Sequence, residues 1–144
     1  MYDLMIIGSG PAGISAALTA KARNLNFIWF GSRALSTKIE KAEKIMNYPG
    51  LPAVTGSEMQ SVFLKQIDDC GITITESQVN SIYDCGGYFA AGADNEIYEA
   101  KAVIMTVGMT TTREIEGEAR LLGCGVSYCA TCDGALYKNL SLIH

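Results

Sequence analysis

Cys129 and Cys132 stand two residues apart in the stretch Tyr128-Cys129-Ala130-Thr131-Cys132-Asp133-Gly134, and a carboxylate follows the second thiol directly. Two thiols at this spacing can close a small disulfide, and each tunes the acidity of the other, so the pair can cycle between dithiol and disulfide. In thiol–disulfide exchange the attacking sulfur is a thiolate and the departing sulfur takes up a proton. Asp133 is placed in sequence to supply or remove that proton. Taken alone, a C-x-x-C pair is equally compatible with redox work and with metal ligation.

The beginning of the chain narrows the choice. The apolar run Tyr2-Asp3-Leu4-Met5-Ile6-Ile7 has strand character, Gly8-Ser9-Gly10-Pro11-Ala12-Gly13 follows at once, and Ile14 to Ala22 reads as a helix. This is the strand, glycine turn and helix of a dinucleotide site. Gly8 permits the tight turn, Gly10 lets a pyrophosphate approach the backbone, and Gly13 lets the helix pack closely on the strand. A second apolar strand, Phe27-Ile28-Trp29-Phe30, arrives at βαβ spacing. The end of that strand normally carries an acid for the ribose, but the sequence there is Gly31-Ser32-Arg33. Arg33 is a candidate partner for a 2′-phosphate, which would indicate NADP, or a solvated loop arginine.

The elements that must position these residues are those of one small α/β domain. The chain has 144 residues, 49% of them apolar, without an internal repeat. Its net charge of -4 argues against nucleic acid or an anionic membrane surface as the main partner. No apolar run is long enough to span a bilayer and no basic leader precedes the first strand. A cytoplasmic location is therefore expected, and five cysteines without a secretory signal fit a reducing compartment.

Ser57-Glu58-Met59-Gln60 reads as a capping box, and Met59, Val62, Phe63, Ile67 and Cys70 follow at helical spacing before Gly71. These positions are expected to be core, Cys70 among them as a buried small hydrophobe. Ile72 to Thr75 reads as a strand. Segments at Val79 to Tyr83, Tyr88 to Ala91 and Glu96 to Glu99, joined by Gly86-Gly87 and Asp94-Asn95, carry hairpin signals of a small meander, with Cys85 at a turn. Ala102 to Val107 is nearly all apolar, which suits a strand buried on both faces, and Gly108 ends it.

In this order, the Gly8 to Gly13 loop, the Asn47-Tyr48-Pro49-Gly50 turn, the strand ending Thr106-Val107-Gly108 and the Cys129 to Gly134 motif resemble the N-terminal part of the low-molecular-weight thioredoxin reductases, and the whole chain shares in the likeness. The resemblance implies a Rossmann-like FAD-binding domain, a parallel sheet with helices plus an antiparallel β-meander, forming an incomplete three-layer ββα-type domain. It places the first segment of that domain at 1–115. Residues 116–144 then hold a hinge and the start of a pyridine-nucleotide domain that carries the redox pair.

By the same likeness Cys129 exchanges with a thioredoxin-like disulfide protein, Cys132 lies nearest the flavin, and Asp133 is the acid–base group. Gly8, Ser9, Gly10, Pro11, Ala12, Gly13, Asn47, Val79 and Gly108 would hold FAD. NADPH or ferredoxin would be the electron donor of a full-length form, and the assembly would be a homodimer. Gly117 and Gly123-Cys124-Gly125 offer hinge positions before the redox pair. The chain departs from the family in two places: Ser36-Thr37-Lys38 replaces a Gly-Gly-Gln segment, and His144 falls where a second glycine fingerprint should begin, so the sequence reads as a fragment.

Two other readings compete. Cys124, Cys129 and Cys132 have the C-x4-C-x2-C spacing of an iron–sulfur loop, which would make the chain an electron carrier, but no cysteine follows Cys132. A zinc site would need a core cysteine, because the one histidine is His144. The remaining alternative is a dinucleotide-binding module without catalysis.

Overall fold

Alternation along the first strand decides the layers. In the computed structural model, which describes residues 1–108, 116–121, 124–127, 137 and 141, strand β1 (Tyr2–Ile7) sends Leu4 and Ile6 to one side of a sheet and Met5 and Ile7 to the other. All four are buried. A strand apolar on both faces must be covered on both, and this one is.

The chain divides into two compact units, Met1–Gly108 and Met109–His144. The first contains helix α1 (Pro11–Ala22), strand β2 (Phe27–Phe30), the short helix α2 (Thr37–Glu40), helix α3 (Gly56–Asp69) and strands β3 (Val79–Asp84), β4 (Phe89–Ala93) and β5 (Glu96–Met105). These strands form one sheet in the order β2-β1-β5-β4-β3. β1 runs parallel to β2, with Met5 opposite Ile28, and parallel to β5, with Met5 opposite Val103. The β3-β4-β5 portion is antiparallel. The architecture is the expected one, a Rossmann-like parallel sheet with helices and a β-meander.

On the helical side, Ile14, Ala17 and Ala20 of α1 and Met59, Phe63 and Ile67 of α3 pack with Leu4, Ile6 and Trp29. On the other side, Ala91, Ala93 and Ala100 close on Met5, Ile7, Ile28 and Phe30, and Tyr98 meets Phe30 edge-on with ring centroids 5.0 Å apart. Alanine in the meander leaves room for these larger partners.

Several local expectations change. The α3 capping box is built by Thr55 and Glu58 rather than Ser57 and Gln60: Glu58 N donates to Thr55 Oγ1 at 3.2 Å and Thr55 N donates to Glu58 Oε2 at 2.8 Å. The helix therefore starts earlier. Val62 is 44% exposed, and Cys70 is exposed because it is the C-cap, beyond the reach of the core face. Gly71, at φ +60°, ends the helix in a Schellman turn in which Gly71 N donates to Asp68 O and Ile72 N to Ile67 O.

Ile72 to Thr75 contributes one parallel bridge, Thr75 to Phe30, rather than a full strand. Glu96 to Glu99 and the apolar run after it form a single strand, β5, because no turn-forming residue separates them. The first half of β5 pairs with β4 and the second with β1. That second half is not buried on both faces: Ile104 is 40% and Met105 62% exposed, and Val107 just beyond it is 61% exposed. It has β1 on one edge, and among the described residues no strand on the other.

The hairpin readings agree with the structure. Asp94 and Asn95 both adopt left-handed conformations in the two-residue β4–β5 loop, as do Gly86 and Gly87 between β3 and β4. In the second unit, helix α4 (Glu118–Leu121) follows Gly117, which has a φ of +87°. No helix among the described residues is long and apolar enough to cross a membrane.

Candidate functional site

The C-terminal ends of β1, β2 and β5 meet at the glycine loop. Gly8 has a φ of +111°, and a Cβ there would collide with the Thr106 carbonyl; a Cβ on Gly13 would collide with the Gly8 carbonyl. Both positions admit only glycine. The Gly8 carbonyl is held in turn by Trp29 Nε1 at 2.9 Å and Thr106 Oγ1 at 3.0 Å. Thr106 Oγ1 also lies within hydrogen-bonding distance of Ile7 O, at 2.9 Å, so the end of β5 braces the turn leaving β1.

Gly10 is different. It has ordinary extended geometry, with φ -72° and ψ -179°, and no atom lies within 4 Å of where its Cβ would stand. The backbone here faces open space.

Gly10 is the N-cap of α1, brings no side-chain cap, and is followed by Pro11 in a first turn that has no acidic residue. The first main-chain bond of the helix is Ile14 N to Gly10 O, at 3.0 Å. The Ala12 and Gly13 amides precede it and have no intrahelical acceptor. A 12-residue helix that begins with unpaired donors behind an unobstructed glycine has the chemistry to receive an anion. These features fit the pyrophosphate of a dinucleotide such as FAD.

Ser9 is 7% exposed and is used internally: its hydroxyl donates to Leu35 O at 3.0 Å and accepts from Ser32 N at 3.0 Å. It fastens the loop after β2 to the glycine loop. A Cβ on Gly31 would stand 2.5 Å from that of Ser9, so this loop also needs a glycine where it crosses. Sequence reasoning missed Trp29, Gly31 and the bracing role of Thr106, since these depend on contacts across the sheet.

The remaining candidates are spread over the first unit. Asn47 is exposed and makes no hydrogen bond with the glycine loop; it precedes a turn in which Leu51 N donates to Tyr48 O at 3.1 Å and Gly50 has a φ of +83°. Ile45 and Tyr48 pack on the helical core, whereas Met46 is 65% exposed. Val79 opens β3 opposite Ala93, and Gly108 follows β5 with a φ of +69°. Cys129, Cys132 and Asp133 lie outside the described residues.

Arg33 is engaged within the protein in an exposed ion pair. Its guanidinium donates through both terminal nitrogens to Asp68 at 3.0 Å. The pairing raises the arginine pKa and holds the Asp68 carboxyl below the usual range.

Residues 2–142 match the family described as pyridine nucleotide-disulphide oxidoreductase. The chain belongs to that family. Within this oxidoreductase family it is similar to the thioredoxin reductase of Bacillus subtilis, 32% identical over 99% of this chain and 46% of that protein. Among solved structures it is similar to a ferredoxin-flavin thioredoxin reductase of Clostridium acetobutylicum, with 48% identity, TM-score 0.76, and coverage of 95% of this chain and 48% of the other. The thioredoxin reductase of Streptococcus pyogenes has 35% identity, TM-score 0.80, and coverage of 95% and 45%. The chain spans a little under half the length of these relatives.

Proposed function

We propose that this chain serves a flavin-dependent disulfide reductase of the thioredoxin reductase type. The observation that carries the reading is the uncapped α1 N-terminus behind Gly10, in a chain that also carries Cys129-Ala130-Thr131-Cys132-Asp133. Gly10, Ala12 and Gly13 would hold the FAD pyrophosphate through main-chain amides, and Asn47, Val79 and Gly108 are proposed contacts for the rest of the cofactor. Bound FAD would supply two-electron reducing equivalents to the cysteine pair.

The chemistry of the chain's own residues follows from thiol exchange. The Cys129 thiolate attacks one sulfur of a thioredoxin-like disulfide, forming a mixed disulfide as the other substrate sulfur departs and takes up a proton. Cys132, deprotonated with help from Asp133, then attacks the Cys129 sulfur. That closes the Cys129–Cys132 disulfide and releases the substrate as a dithiol. The electron donor is NADPH or a ferredoxin, and the name of the Clostridium acetobutylicum relative supports the second.

Exchange of Cys132 for Ser should leave a Cys129 mixed disulfide that cannot resolve. A stable adduct with oxidised thioredoxin, visible on a non-reducing gel, is expected for reduced Cys132→Ser and not for Cys129→Ser. The reverse pattern would contradict the assignment of the exchanging thiol.

A further inference from the structure

A dinucleotide on a βαβ unit presents its adenosine ribose at the end of the second strand, where a carboxylate accepts from the ribose 2′-hydroxyl. At that position the chain has Gly31-Ser32-Arg33 and no acid. The fold brings one from the neighbouring segment. Thr75 pairs with Phe30, with Thr75 N donating to Trp29 O at 2.7 Å and Gly31 N to Thr75 O at 3.1 Å. The next residue is Glu76, and its Oε1 accepts from Arg33 N at 2.8 Å.

A continuous path results: Ser9 of the glycine loop holds Ser32 N, and the adjacent Arg33 N holds Glu76. Glu76 is exposed, and its carboxylate makes no other hydrogen bond among the described residues. The Arg33 side chain is drawn off by Asp68.

We propose that Glu76 is the ribose acceptor of the dinucleotide site, taking the role that the end of β2 has given up. Its negative charge admits a ribose diol and disfavours a 2′-phosphate. The assignment rests on the FAD reading above and adds a specificity-determining residue to it.

The test is titration of the chain with FAD and with an FAD analogue whose adenosine lacks both ribose hydroxyls, for the unaltered protein and for Glu76→Gln. Glutamine retains an oxygen for Arg33 N, so the melting temperature should not move. The unaltered chain should bind FAD about tenfold more tightly than the analogue, the scale of a hydrogen bond to a charged acceptor. Glu76→Gln, whose amide replaces a charged acceptor with a neutral donor, should weaken FAD and shrink its preference over the analogue severalfold. A variant that keeps the unaltered preference, or that loses affinity for both ligands equally, overturns this assignment alone. An unaltered chain that binds neither ligand overturns the FAD reading and this assignment together.

Discussion

Gly10 and Gly13 lie three residues apart in one motif and are glycines for different reasons. At Gly13 a methyl group has no room, because it would meet the Gly8 carbonyl and stand 2.8 Å from Thr106 Oγ1. At Gly10 there is room in the protein itself, and the space is what a ligand would use. The two alanine variants should therefore separate. Gly13→Ala is expected to lower stability by about 1–3 kcal/mol in urea unfolding, the usual cost of overpacking. Gly10→Ala is expected to leave stability within about 0.5 kcal/mol while impairing FAD binding, because the added methyl group meets no protein atom. Equal destabilisation by both would contradict the distinction. The motif's glycines were legible in the sequence because each excludes a side chain locally. Glu76 was not legible, since its place beside Arg33 depends on the Thr75 to Phe30 bridge rather than on any spacing along the chain.

Among the elements, α3 shows how far periodicity reaches. Met59, Phe63 and Ile67 repeat every four residues and are all buried, as expected, while Cys70 falls on the cap and is exposed. Spacing identifies a face; it does not say where the helix stops. The box at the other end makes α3 sensitive to acid. The Thr55 amide, and after it the Thr55 hydroxyl, hold the Glu58 carboxyl below its ordinary value of 4.5. A depressed carboxyl favours the folded state at pH above that value, and the contribution is lost as pH falls below it and the group protonates. Asp3, held down by Lys101, and Asp68, held down by Arg33, act with the same sign. Thr55→Ala should cost about 1 kcal/mol near neutral pH. It should also flatten the acid limb of the stability profile in part, since the amide at position 55 remains, measured by thermal melting across that range. An unchanged acid limb would mean that Glu58 does not report the cap.

For the whole molecule, the βαβ unit and the meander were readable because their signals are local: a glycine turn between apolar strands, and loop residues able to take left-handed conformations. The second half of β5 was misread for a physical reason. A continuous apolar run reports that a strand is suited to burial, whereas burial itself needs neighbours, and among the described residues β1 alone pairs with this half. The family assignment, in contrast, extends over residues 2–142, a span that includes both the glycine loop and the cysteine pair. The proposed function depends first on flavin. The decisive measurement is the visible absorption spectrum of the purified chain after incubation with FAD and removal of unbound flavin. The two-banded yellow spectrum of a bound flavin is expected; a colourless protein, or a brown iron–sulfur spectrum, would contradict the flavin-dependent reading.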